Sequence, residues 1–183
     1  MNRKASICIV LVLALGLLAA SGAGAQGKGG QAGNLGLIFN VSDLLMAISP
    51  SNDGVSAGVG LKYWLAQKSA LRGILEFTYL SNSATGISTL NLGLSAAYEY
   101  HFVRARVSPY AGGLAGFHVS TTTGGPNDFA FYLAGILGAE VTLIDSVALF
   151  AEYNLRMLFN DPNFNLGFAL GNAASIGLIV YLP

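Results

Sequence analysis

The stretch Thr89–Phe102, TLNLGLSAAYEYHF, constrains the fold more than any other part of the chain. Every second residue from Leu90 gives one face: Leu90, Leu92, Leu94, Ala96, Tyr98, Tyr100 and Phe102. The other face is Asn91, Gly93, Ser95, Ala97, Glu99 and His101. Strict alternation sends successive side chains to opposite sides of a sheet, so the segment reads as a β-strand. The apolar face is wide and ends in aromatics, whereas the opposite face is small and carries the ionisable groups. That division suits a strand with lipid on one side and a narrow polar lumen on the other. A half-buried strand of a soluble protein alternates in the same way, so the choice rests on the rest of the chain.

Composition points to lipid. Only 10% of the residues are charged, against about 25% in a soluble domain, which leaves few ionic groups for a water-facing surface. The formal net charge is zero, and no basic run suggests nucleic acid. Residues 1–25 read as a cleavable signal peptide: a basic start at Arg3 and Lys4, an apolar stretch Ile7–Ala20, and small residues for cleavage after Ala23 or Ala25. The single cysteine, Cys8, lies within it, so the mature chain has no thiol chemistry. Gln26–Gly33 is a Gly-rich flexible lead-in. No apolar run of about 18 residues follows, so no membrane helix is expected. For an exported, apolar, charge-poor chain this leaves a closed β-barrel, which satisfies its backbone polar groups in lipid without helices.

Alternation recurs along 34–183, and the expected fold is an all-β, eight-stranded, antiparallel, up-and-down transmembrane barrel. The expected strands are Asn34–Ser42, Gly54–Ala66, Ala70–Leu80, Thr89–Phe102, Val107–Val119, Phe129–Leu143, Val147–Phe159 and about Leu170–Leu182. Their lengths suit the roughly 9–11 residues a tilted strand needs to cross a bilayer. Short turns follow the second, fourth and sixth strands, at Gln67–Ser69, Val103–Arg106 and Ile144–Ser146. Longer loops follow the others: Asp43–Asp53, Ser81–Ser88, Ser120–Asp128 and Asn160–Asn165. Short inner turns alternating with long outer loops are the rhythm of outer-membrane barrels. The run Leu44–Ile48 is apolar for a loop and fits a strand extension, a short helix or a membrane-dipping segment.

The charges sort with this scheme. All five aspartates (Asp43, Asp53, Asp128, Asp145, Asp161) fall in expected loops or turns, and all four glutamates fall in strands, opposite the aromatics. The outward aromatics form two belts, as membrane interfaces favour. Tyr63, Tyr98, Tyr100 and Phe102 lie towards the short-turn end; Phe77, Tyr79, Phe117, Phe129 and Phe131 lie towards the long-loop end.

Three segments carry a family likeness: Pro109–Gly113 with Gly116, Gly138–Val141, and Phe150–Tyr153. Through these and the strand rhythm the chain resembles the small eight-stranded outer-membrane barrels of the OmpA/OmpX type. The resemblance implies residence in the cell outer membrane, insertion by the barrel-assembly machinery, and function carried by the outer loops. Such barrels usually close on an outward aromatic, whereas this sequence closes Tyr181-Leu182-Pro183.

The inward face holds Lys62, Arg72, Glu76, Glu99, Glu140, Glu152 and Arg156, with His101 and His118. Lys62, Arg72 and Glu99 are expected at similar heights near the short turns, with Glu140 across the lumen; Glu76, Glu152 and Arg156 are expected to form a higher group. An eight-stranded barrel is just wide enough for its side chains to fill it, so these residues read as a structural ion-pair plug, with a narrow gated ion path as the sharper reading. His118-Val119-Ser120 resembles part of the His, Ser and Glu set of the lipid A deacylase barrels, which implies a lipid A-modifying hydrolase as one alternative. Glu140 is expected at the opposite end of the barrel, so no catalytic residue is assigned and the chain is read as a non-enzyme. Two isolated histidines give no metal-ligand spacing, and no cofactor is expected. Inward glycines are expected to make room for Trp64, Tyr110 and Tyr132. The reading is therefore a monomeric outer-membrane barrel with a structural, envelope or surface-interaction role and a possible surface ligand on its loops. The other alternative is a soluble, lipocalin-like carrier, apolar within and polar outside.

Overall fold

In a computed structural model, which describes residues 31–42, 53–82, 85–160, 167–169 and 174–182, every regular element is a strand. In order these are β1 (Leu35–Ser42), β2 (Asp53–Ala66), β3 (Ser69–Asn82), β4 (Ile87–His101), β5 (Val107–Thr122), β6 (Asn127–Ile144), β7 (Val147–Asn160), β8 (Gly167–Ala169) and β9 (Ala174–Tyr181). Each neighbour pair from β1 to β7 is antiparallel. Closure comes from β9, which pairs with β7 on one side and β1 on the other. The short β8 continues the same wall, pairing with β7 at Arg156–Leu158. The result is an eight-stranded closed barrel, whose wall pairs its backbone groups from strand to strand without water.

Wall polarity follows the alternation. On β4, Ser95, Ala97, Glu99 and His101 are buried, while Leu92, Leu94, Tyr98 and Tyr100 are exposed. The same inversion runs round the cylinder, with Leu75, Leu137 and Ile176 exposed outside and Lys62, Arg72, Glu140 and Glu152 buried inside. A soluble carrier would need the reverse.

Strand ends differ from the sequence expectation in several places. The expected loops Ser81–Ser88 and Ser120–Asp128 are strand at both of their ends. β3 reaches Asn82 and β4 begins at Ile87; β5 reaches Thr122 and β6 begins at Asn127. Polar residues extend these ladders because threonine suits a pleated surface as well as an aliphatic residue does. Thr89 and Thr122 join hydroxyls across β4 and β5 at 3.1 Å. Gly86 and Gly124, at φ 69° and 76°, make the remaining turns, a conformation other residues adopt at a cost. Consequently Asp53 and Asp128 lie at strand ends, not in loops. Phe102 falls just beyond β4, in the turn to β5. The signal peptide, most of the lead-in, Leu44–Ile48, Pro50 and the Asp161–Asn165 loop lie outside the described residues.

Inside, large rings lie over glycines on the neighbouring strand. Tyr132 pairs in register with Gly116, Tyr110 with Gly138, and Phe150 with Gly177. A Cβ placed on Gly116 would lie 2.6 Å from the Tyr132 ring, and one on Gly138 would lie 2.6 Å from the Tyr110 ring. The expected room for Tyr110 and Tyr132 therefore exists; Trp64 instead pairs with an alanine, Ala70. Two apolar clusters result. One groups Ile38, Trp64, Ile74, Phe150, Ile179 and Tyr181 with small neighbours. The other is built round Tyr110, Leu114, Tyr132 and Ile136.

Replacing Gly116 with valine should destabilise the barrel by about 1–3 kcal/mol through overpacking. Outward Gly135, with open space round its Cα, should accept alanine within about 0.5 kcal/mol. Urea titration of refolded protein in detergent micelles, followed by tryptophan fluorescence, measures both.

Candidate functional site: a charged plug in the lumen

Charged side chains cross the lumen in two struts. Lys62 on β2 reaches β6, on the opposite wall, and its Nζ donates to Glu140 Oε2 at 2.8 Å. Arg72 on β3 reaches β7, again opposite, with Nη2 2.8 Å from Glu152 Oε2 and 3.0 Å from Oε1. Glu99 on β4 joins the struts, with Oε2 2.6 Å from Lys62 Nζ and Oε1 3.1 Å from Arg72 Nη1. All five side chains are 2% exposed or less. Charges buried this deeply persist only when paired and further hydrogen-bonded.

Further hydrogen bonds reach the carboxylates of Glu140 and Glu152. Tyr110 Oη donates to Glu152 Oε2 at 2.9 Å, and Ser175 Oγ donates to Oε1 at 3.1 Å. Tyr181 Oη donates to Glu140 Oε1 at 2.8 Å and accepts from Trp64 Nε1 at 3.3 Å. Lys62 Nζ also lies 4.8 Å from the Trp64 ring centre.

The hydrogen bonds round Ser108 assign the tautomer of His101. Ser108 Oγ donates its single proton to the Val103 carbonyl at 2.7 Å. The 2.7 Å contact between Ser108 Oγ and His101 Nδ1 is therefore donated by the imidazole. Nε2 is then left to accept from Lys62 Nζ, 3.3 Å away, in the neutral ring. In the charged ring the same Nε2 donates to Glu99 Oε2, also at 3.3 Å.

Three carboxylates face two cations in this core, and a third cation lies beside it. The Arg104 guanidinium, in the β4–β5 turn, stacks on Trp64 with its carbon 3.8 Å from the ring centre, within the range of a cation–π contact. Arg104 reads from sequence as part of a basic turn. Its position against the plug depends on how that turn folds under the barrel. Trp64, Ser108, Tyr110 and Tyr181 are likewise first seen as partners in the structure, although alternation already aims them inward.

The higher group differs from expectation. Glu152 belongs to the lower network through Arg72, which leaves Glu76 and Arg156 towards the long loops. Arg156 lies over the Tyr132 ring at 5.1 Å. Glu76 pairs in register with Gly93, and Gly93 with His118. Glu140 pairs with Ser108 and Phe150, towards the short turns. Asn40, Glu76, Glu152, Asn154 and Arg156 help line a cavity of about 10 Å³, room for roughly one water. No group of three or more metal-ligating side chains occurs among the described residues.

The outward aromatics are exposed in both belts. Tyr63, Tyr98, Tyr100 and Phe102 lie on one side of the short-turn end, with Tyr98 Oη and Ser69 Oγ 2.9 Å apart. Phe77, Tyr79, Phe117, Phe129 and Phe131 lie at the other end, and the Phe117 and Phe129 rings stack at 5.9 Å. Apolar groups clothe the cylinder and ion pairs fill it, the polarity that lipid demands.

The chain is a closed, eight-stranded antiparallel β-barrel with an apolar exterior. No known family model and no curated protein matches it. Among solved structures it is similar to the outer membrane protein OprG of Pseudomonas aeruginosa, at 15% identity and a TM-score of 0.43, covering 84% of this chain and 91% of that one. It is similar to Ail, the attachment invasion locus protein of Yersinia pestis, at 11% identity and a TM-score of 0.44, covering 82% and 96%. It is also similar to a de novo designed transmembrane β-barrel, at 16% identity and a TM-score of 0.42, covering 83% and 98%.

Lys62→Met strands Glu99 and Glu140 and should cost this barrel about 3–5 kcal/mol. The double change Lys62→Met with Glu140→Gln should cost less than the sum of the single changes. Urea-induced loss of the heat-modifiable gel species gives the cycle.

Proposed function

We propose that the protein is an integral outer-membrane barrel with a structural, envelope or surface-interaction role, and that its lumen is a plug, not an open pore. The observation that carries this reading is the pair of cross-lumen struts joined through Glu99. Each strut ties opposite walls together, and rings and aliphatic side chains fill the space round it. Any surface ligand would meet the long-loop end, and the barrel would act as a monomer inserted by the barrel-assembly machinery. We read it as a non-enzyme. In support, His118 and Ser120 point inward on β5, away from lipid, and Glu140 is at the far end in register. A serine nucleophile needs a base and an orienting carboxylate within hydrogen-bond reach.

Reconstituted protein in planar bilayers should show conductance at the noise floor. Regular unitary steps from the wild-type chain would replace the plug with a channel. In cell fractions the protein should stay with outer membranes through carbonate washing and migrate faster unheated than boiled. Release into buffer without detergent would contradict a spanning barrel.

A further inference from the structure

The outer surface at the short-turn end is chemically one-sided. Tyr63 on β2, Leu71 on β3 and Tyr98 on β4 share one rung, with Tyr100 and Phe102 below on the same sector. All are exposed, and the Tyr100 and Phe102 rings meet edge to face at 5.9 Å. Round the rest of this rim, the outward residues near the strand ends are aliphatic: Val107, Leu143 and Leu149. Beneath the aromatic sector hang the β2–β3 and β4–β5 turns, which lie side by side: His101 N donates to the Lys68 carbonyl at 2.7 Å. These turns expose Lys68 and Arg106, and neither enters an ion pair among the described residues. Arg104 is held on Trp64 and faces the plug. In the sequence, the connections at the other end contain Asp43 and Asp161, with Asp53 and Asp128 at the adjoining strand ends, but no lysine or arginine.

We infer that this sector is a binding site for anionic phospholipid headgroups in the leaflet at the short-turn end. The inference rests on the spanning orientation proposed above. Exposed tyrosines at strand ends mark the depth of the headgroups. Lys68 and Arg106 sit just beyond that depth, where a lipid phosphate lies. Arginine offers a planar fork to phosphate, and lysine a mobile point charge. Above Arg106 the wall of β5 is shallow at Ala111, Gly113 and Ala115, between Tyr98 and Leu137, so an acyl chain can lie against it. The absence of basic residues from the opposite connections sets the preference for this leaflet over the outer one.

The test uses the full mature chain in phosphatidylcholine vesicles with spin-labelled lipids, read by electron paramagnetic resonance. Wild-type protein should hold labelled phosphatidylglycerol about fivefold more strongly than labelled phosphatidylcholine, and about 0.5 M salt should weaken that preference. Lys68→Gln with Arg106→Gln should abolish the preference while the heat-modifiable barrel persists. Equal selectivity in wild type and variant, with both inserted, would overturn the site. Stronger retention of labelled lipid A than of phosphatidylglycerol would overturn the assignment to this leaflet. A chain that fails to insert at all removes the spanning reading, and the site with it; flotation of the vesicles separates that outcome from the others.

Discussion

The architecture depends on neutralising charge away from water. Five ionised side chains share the lower lumen, and an unpaired one would cost several kcal/mol. Lys62 and Arg72 each reach a carboxylate on the opposite wall, and Glu99 spans between them. The struts therefore act as internal cross-braces. They also set which residues can fill the remaining space, because Tyr110, Tyr181 and Ser175 must lie where they can donate to the carboxylates.

That requirement explains the glycines of β5, β6 and β9. A narrow barrel cannot hold a ring on every inward position. Tyr110, Tyr132 and Phe150 lie flat across Gly138, Gly116 and Gly177 on the adjacent strands. The ring covers backbone that would otherwise be bare, and at Gly138 the missing side chain leaves room for Tyr110, whose hydroxyl donates to Glu152. Packing and electrostatics are thus satisfied by the same residues. Arg104 extends the logic downward, closing the short-turn end with a cation on Trp64.

The upper lumen is looser. Glu76, His118, Ser120 and Arg156 are only half-buried, and the polar ladders of β5 and β6 continue beyond the apolar band. The two ends therefore differ in kind: one is sealed by ion pairs and rings, while the other presents polar surface towards the long connections. A sealed base under a polar mouth favours a role at the surface over transport through the centre.

Much of this was legible in the sequence because alternation has a period of two and lipid inverts its meaning. The inward positions of Lys62, Arg72, Glu99, Glu140 and Glu152, the outward aromatics and the short turns follow from counting residues. Strand ends were less legible, since Thr121, Thr122 and Asn127 carry polar side chains that suit a ladder as readily as a loop. Partner choice was not legible at all. Heights counted from the turns put Glu152 with Glu76 and Arg156, yet Arg72 takes it from the opposite wall. Contacts across a lumen depend on strand stagger, barrel closure and the reach of long side chains, none of which a single strand encodes. The sequence by itself determined which side of the wall each residue faces; only the closed tertiary structure decided which charges meet.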